Sequence, residues 1–267
     1  MRRDDYTAAN RDAWNAAAPH HQAHDQYARL LRGFAKPGFS CLDSTATARL
    51  QALGVAGCDV AQLGCNNARE LLSVKNMGAA RAVGFDVSAS FLAQGHELAD
   101  LAGLECELVE TDIYKIPARY AEAFDLVFTT IGVYGWMPDI GAFFAEVARL
   151  LRPGGRYFAY EQHPILDMFD ETRPDDPHRP VRSYFARGAD RAAVGLDYYG
   201  NAEYSAPMNY WFHHTLSDIV TASLENGLAL EHLCEYPHNI TTNAHDIYEN
   251  QAVQFPLSVT LVARKAS

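Results

Sequence analysis

Between Cys58 and Glu161, short apolar runs alternate with stretches of helical period, and this alternation constrains the fold more than any other feature. The apolar runs are Asp59 to Leu63, Ala82 to Val87, Cys106 to Val109, Phe124 to Ile131 and Tyr157 to Glu161. The fourth is apolar almost throughout, as in a strand buried on both faces. Between them, Arg69 to Met77, Ala89 to Leu101 and Ile140 to Leu151 read as helices; Ser88 supplies an N-cap, and Phe143, Phe144 and Val147 an apolar face. Repeated strand–helix units predict an α/β fold with a doubly wound, mostly parallel sheet. Such sheets bind ligands beyond the carboxyl ends of their strands.

The first strand ends in a turn of small and amide residues, Gly64, Asn66, Asn67 and Ala68, before the helix that starts at Arg69. A turn without large side chains brings backbone N–H groups close to a ligand at a helix N-terminus. Asp86 ends the second strand about 20 residues further on, the spacing at which an acid meets ribose hydroxyls. The turn has one glycine where dinucleotide sites have three, although Asn tolerates positive φ. By itself it reads equally as a nucleoside site or as an ordinary strand-to-helix turn. The missing glycines argue against a pyrophosphate packed on the loop.

Two regions fall outside this rhythm. Residues 1–56 read as a helical cap too small to fold alone, which should pack on a main domain of residues 57–267. Its helices are expected from Asn10 to a break at Pro19, from Tyr27 to Phe34, and from an N-cap at Ser44. Trp14, Tyr6 and Tyr27 either close over a ligand or dock this leader on the core. Residues 163–210 have no period and are rich in Asp, Pro, Arg and Tyr; their aromatics favour a lid insertion after the fifth strand. A helix from Ser217 to Glu225, a strand from Leu228 to Tyr236 and a last strand from Phe255 to Arg264 complete the chain.

With 267 residues and 48% hydrophobic content, the chain can bury a sizeable core. A net charge of −11 disfavours nucleic acid as a partner. No run approaches a membrane span, and no apolar region follows the basic start, so neither a membrane partner nor a signal peptide is expected. Five scattered cysteines without metal-type pairing fit reduced thiols and a cytoplasmic protein with no structural metal. The expected partner is a small molecule; homo-oligomer formation is left open.

From about Cys58 onward the order of motifs resembles the class I S-adenosylmethionine-dependent methyltransferases, whose domain is Rossmann-like with an antiparallel last strand. The resemblance rests on the Gly64 turn, on Asp86, on Thr111-Asp112-Ile113, on Thr130-Ile131-Gly132 leading to Trp136, and on Leu150-Leu-Arg-Pro-Gly-Gly-Arg. It implies S-adenosyl-L-methionine as cofactor, with ribose on Asp86, adenine against Asp112 and Ile113, and the remaining contacts from Gly64, Asn66, Asn67 and Ile131. Gly-Cys-Asn-Asn-Ala-Arg-Glu resembles a subgroup acting on small molecules. One departure is Gln62, where the family usually has an acid that orients the cofactor's amino-acid end. The cofactor carries no phosphate, so a glycine-poor turn is acceptable, and aromatic faces can hold its sulfonium.

Methyl transfer is an in-line displacement, so the protein chiefly aligns the acceptor and excludes water. The ends of the fourth and fifth strands supply Tyr134, Trp136, Glu161, Gln162 and His163; the segment before the late helix supplies Trp211, His213 and His214. Glu161 is read as an acid/base group or as a carboxylate paired with Arg182 or Arg187, and His163 as a second base or a strand-end cap. Tyr134, Trp136, Trp211 and His214 are expected at the acceptor, with Trp136 and Trp211 reading also as a cover for the adenine or as core packing. Asp167, Asp170, Asp175 and Asp176 form either a divalent-ion site with His163 or a solvated acidic loop. The expected reaction is O- or N-methylation of a small, largely apolar or aromatic metabolite. The alternatives are carbon methylation of an aromatic or prenyl-type substrate, with Arg179, Arg182, Arg187 and Arg191 for a diphosphate, a non-catalytic nucleoside-binding protein on the same fold, and a nicotinamide-dependent dehydrogenase.

Overall fold

A computed structural model describes residues 1–200, 202 and 204–267. The leader forms three helices, α1 (Arg3–Ala23), α2 (Asp25–Phe34) and α3 (Ser44–Ala52). The alternating region follows as β1 (Asp59–Leu63), α4 (Arg69–Asn76), β2 (Arg81–Asp86), α5 (Ala89–Ala102), β3 (Glu107–Glu110), β4 (Phe124–Thr130), α6 (Ile140–Leu150) and β5 (Leu151–Gln162). The insertion holds β6 (Ala189–Ala192) and β7 (Asn209–Phe212), and the chain ends with α7 (Leu216–Glu225), β8 (Leu228–Tyr236) and β9 (Ser258–Lys265).

Seven strands form one sheet in the order β3-β2-β1-β4-β5-β9-β8. The first five are parallel to one another, while β9 runs antiparallel to both β5 and β8. The order reverses between β1 and β4, which opens a crevice beyond their carboxyl ends. The central strands are buried on both faces, as their unbroken apolar sequence requires. One face packs Phe143, Phe144 and Val147 of α6 against Val127 and Tyr157; the other packs Leu71 and Val74 of α4 and Leu50 of α3 against Val60 and Phe128. Burying these side chains contributes roughly 1.5–3 kcal/mol each.

The doubly wound sheet and its antiparallel last strand are those expected. Three local expectations are corrected. α3 is capped not by Ser44 but by Asp43, whose Oδ1 accepts from Ala46 N at 2.7 Å. α1 does not break at Pro19 but continues to Ala23. Pro19 removes one helical hydrogen bond, yet Ala17, Ala18 and His21 on either side are buried, and their packing carries the helix through. The Arg152-Pro-Gly-Gly segment lies inside β5, with a register shift opposite Phe124 and Leu126, so that strand starts at Leu151. The leader is tied to the core by side chains: Asn15 Oδ1 accepts from Ser88 Oγ at 2.7 Å, and Gln94 Nε2 donates to Ala18 O at 2.8 Å.

Candidate functional site

A cavity of about 310 Å³ opens beyond the carboxyl ends of β1, β2, β3 and β4. Its first wall follows from the β1–α4 turn. Gly64, Asn66 and Ala68 take positive φ values of 64, 50 and 58°, curling the chain so that α4 begins at the cavity rim. Asp86 fixes this turn: Oδ2 accepts from Asn66 N at 2.7 Å and Oδ1 from Ser88 N at 2.8 Å. Burial pushes the Asp86 carboxyl up, and the Ser88, Asn66 and Val87 N–H groups pull it back. Each oxygen keeps a lone pair for a further donor. Asp112 Oδ1 accepts from Tyr114 N at 3.0 Å, so its acid group and the buried Ile113 are held together on the same wall.

β4 ends in a strained loop. Ile131 and Gly132 have φ of 41 and 88°, and the left-handed region is costly for a β-branched residue. Glu161 holds the loop in place: its Oε2 accepts from the N–H groups of both Gly132 and Val133. Ile131 thereby projects onto the cavity wall.

The opposite wall is aromatic and comes from four separate parts of the chain. Trp14 of α1, Trp136, Trp211 of β7 and Tyr198 of the insertion line it. Trp136 meets Trp14 and Trp211 edge-to-face at 5.2 and 5.1 Å. Trp211 Nε1 donates to Asp167 Oδ1 at 3.1 Å, which anchors the ring. α1 and β7 are joined by Asn10, which bonds both the N–H and the C=O of Tyr210, at 2.8 and 3.0 Å. The loop between β8 and β9 closes this side with Thr241 and His245. His245 has a left-handed backbone, φ 63°, and its N–H donates to Glu171. Its Nδ1 lies 3.9 Å from Glu171 Oε2 and has no hydrogen-bond partner. Burial lowers the His245 pKa, against the opposing pull of Glu171, Asp167 and Asp246, so the ring is neutral near pH 7.

Of the residues singled out by sequence, Gly64, Asn66, Asp86, Asp112, Ile113, Ile131, Trp136 and Trp211 line this cavity. Five do not. Glu161 is 1% exposed and lies behind the Gly132 loop. Neighbouring residues of a strand face opposite ways, and it is Gln162 that reaches the wall. His163 has both ring nitrogens occupied: Nε2 meets Glu235 Oε1 at 2.8 Å, and Nδ1 accepts from Ile165 N at 3.1 Å. It caps the strand end and is not placed to take a proton from a ligand. Tyr134 is buried with its hydroxyl 2.9 Å from that of Tyr157, and His214 donates from Nε2 to Met137 O at 2.8 Å. Both sit beside a much smaller pocket behind the wall. Asn67 is 2% exposed and packs under Gly95.

The acidic residues of the insertion do not converge. Asp167 serves Trp211 and His213, Asp175 pairs with Arg173, and among the described residues no three His, Cys, Asp or Glu side chains form a metal-binding group. All five cysteines are free. No described helix is long and apolar enough to cross a membrane. Sequence reasoning missed His245, took Tyr198 only as one of the lid's aromatics, and gave Arg69 and Glu70 no role beyond the motif they belong to. The strand-end rule applied to β8 points to the 237–257 loop and would have found His245.

Comparison with known proteins bears on the fold. Residues 60–155 match the family model described as a methyltransferase domain. Methyltransferase phqN of Penicillium fellutanum is 29% identical over 141 residues, 52% of this chain and 41% of that protein. The chain thus spans less than half the length of that curated relative. An S-adenosylmethionine-dependent methyltransferase from Mesorhizobium loti superposes with a TM-score of 0.60 at 22% identity, covering 82% of this chain and 96% of the other. Geranyl diphosphate C-methyltransferase from Streptomyces coelicolor A3(2) gives 0.56 at 15% identity, covering 84% of this chain and 79% of the other. Residues 60–155 thus resemble a methyltransferase domain, and the fold is the one seen in these S-adenosylmethionine-dependent methyltransferases.

Proposed function

We propose that this chain methylates a small, largely apolar or aromatic metabolite at oxygen or nitrogen, using S-adenosyl-L-methionine. The observation that carries the reading is one cavity with two unlike walls, a polar backbone-rich wall holding Asp86 and Asp112 and an aromatic wall holding Trp14, Trp136 and Trp211. Asp86 fits ribose hydroxyls, since both its oxygens are oriented by backbone N–H groups and retain accepting capacity. Asp112 and Ile113 fit an adenine with a polar edge and apolar faces, and the Gly64 turn fits the methionine end. When bound, the cofactor supplies an electrophilic methyl group. The aromatic wall orients the acceptor and keeps water out. His245, neutral and on the cavity wall, is the group assigned to take the proton that an acceptor O–H or N–H must lose; its Nδ1 is buried beside Glu171, which leaves Nε2 for that role.

Carbon methylation of a prenyl diphosphate is less well supported. Arg182 pairs with Asp190 and Arg187 with Asp218, and none of Arg179, Arg182, Arg187 and Arg191 is on the cavity wall. A non-catalytic binding role is excluded by methyl transfer to any acceptor. Calorimetric titration with S-adenosylhomocysteine and with NADH, followed by a metabolite screen for release of S-adenosylhomocysteine, tests the proposal. Binding of NADH but not of S-adenosylhomocysteine would sink it.

A further inference from the structure

Gln62, where the related family usually has an acid, is 1% exposed and lines the cavity beside Gly64 and Thr130. Its Nε2 donates to Thr130 Oγ1 at 3.1 Å, while its Oε1 has no partner. A buried acceptor left unbonded is unfavourable, and a ligand donor relieves it. On the same wall Arg69 and Glu70 open α4, with side chains 20% and 14% exposed and Arg69 Nε 2.6 Å from Glu70 Oε1. Arg69 also donates to the Tyr199 hydroxyl. The Asn66 and Ala68 backbone conformations aim this helix N-terminus at the cavity, and such an end favours a carboxylate.

We propose that Gln62, Arg69 and Glu70 together hold the charged amino-acid end of the cofactor, in place of the absent acid. This rests on the S-adenosylmethionine reading above. The arrangement matches a zwitterion in both signs. An α-ammonium needs acceptors, which the Gln62 carbonyl oxygen and the Glu70 carboxylate supply. An α-carboxylate needs donors, which the remaining N–H groups of the Arg69 guanidinium and the first turn of α4 supply. Arg69 and Glu70 neutralise each other, so the pair adds no net charge to the wall, and a zwitterion leaves that balance unchanged. The competing reading is an ion pair that only ties α4 to the insertion through Tyr199.

Calorimetry with S-adenosylhomocysteine and with 5′-methylthioadenosine separates the two readings, because the second ligand keeps the nucleoside and thioether but lacks the amino-acid group. Glu70→Gln is expected to weaken S-adenosylhomocysteine about tenfold or more while methylthioadenosine stays within about twofold. Gln62→Leu removes the lone acceptor without touching the Arg69 pair, so it tests the proposal even where the Glu70 variant fails to fold; the same selective loss is expected. If both variants weaken the two ligands in parallel, or change neither, the proposal is overturned. If the unmodified protein binds neither ligand, the cofactor reading falls instead, and this inference with it.

Discussion

The two walls of the cavity are built in opposite ways. The wall assigned to the cofactor is made by the ends of four adjacent parallel strands, and much of its shape is backbone: three left-handed residues at the β1–α4 turn and two more after β4. The wall assigned to the acceptor is made by side chains from α1, the loop after β4, the insertion with its β7, and the β8–β9 loop, held by cross-links such as Asn10 to Tyr210 and Trp211 to Asp167. The first wall is fixed by the sheet; the second depends on segments that share no secondary structure. Substitutions in the first should therefore act on cofactor affinity and stability together. Substitutions in the second should act on turnover and leave the cofactor alone.

The largest effect is expected from His245→Gln. If His245 accepts the acceptor's proton, turnover should fall by about a hundredfold or more with S-adenosylhomocysteine affinity unchanged. Equal loss of both would move His245 to the structural side. Its pH profile sharpens the test. The folded pKa lies below the ordinary imidazole value of 6.5, so the neutral, accepting form prevails above that range and activity should be lost only as the pH falls through the lowered pKa.

Next comes Asp86→Ala. Two backbone N–H groups, of Asn66 and Ser88, lose their acceptor, in addition to the bonds proposed to ribose. Hydrogen bonds to a charged group are worth about 1.5–3 kcal/mol each, which predicts S-adenosylhomocysteine binding weaker by roughly a hundredfold and a lower melting temperature. Unchanged affinity would refute the ribose role and break the contrast between the walls. A smaller effect is expected from Trp211→Ala, which removes one aromatic face and a partner of Trp136. The acceptor KM should rise about tenfold with cofactor affinity within about twofold; a matching loss of cofactor would show that the walls are not independent.

The same contrast explains what could be read from sequence. Gly64, Asp86, Asp112 and Ile113 are placed by strand ends, and strand ends follow from the period of the apolar runs. The acceptor wall follows from no period. His245 sits in a loop whose path is set by tertiary bonds to Glu171 and to the carbonyls of Tyr198 and Tyr199, and Tyr198 lies in a segment of no regular structure. Glu161 shows a different limit. The apolar run correctly put a carboxylate at the end of β5, but which face it takes depends on the strand's alternation relative to the sheet, and the run alone carries no register.

Glu161 supplies the smallest expected effect on turnover and a clear one on how stability varies with pH. The carboxyl is buried among the β4 and β5 ends, and burial, against the opposing pull of the Gly132 N–H, the Thr129 hydroxyl and the Val133 N–H, raises its pKa from 4.5 to about 8. It is therefore a neutral acid at pH 7, and glutamine is a near-isostere of that form. Because the folded pKa is the raised one, the contribution of Glu161 to stability is whole below about 4.5 and is lost as the pH rises through about 8, where the folded chain must hold a buried charge. Glu161→Gln should leave turnover at pH 7 within about twofold, since the side chain supports the Ile131 loop and does not touch the cavity. Melting curves should lie nearest each other near pH 4 and separate progressively up to about pH 8, with the variant gaining stability relative to the parent by on the order of a few kcal/mol. Parallel curves across that range would mean that the carboxylate is already ionised when folded. A large loss of turnover at pH 7 with the fold intact would return Glu161 to the chemistry and erase the division between the two walls.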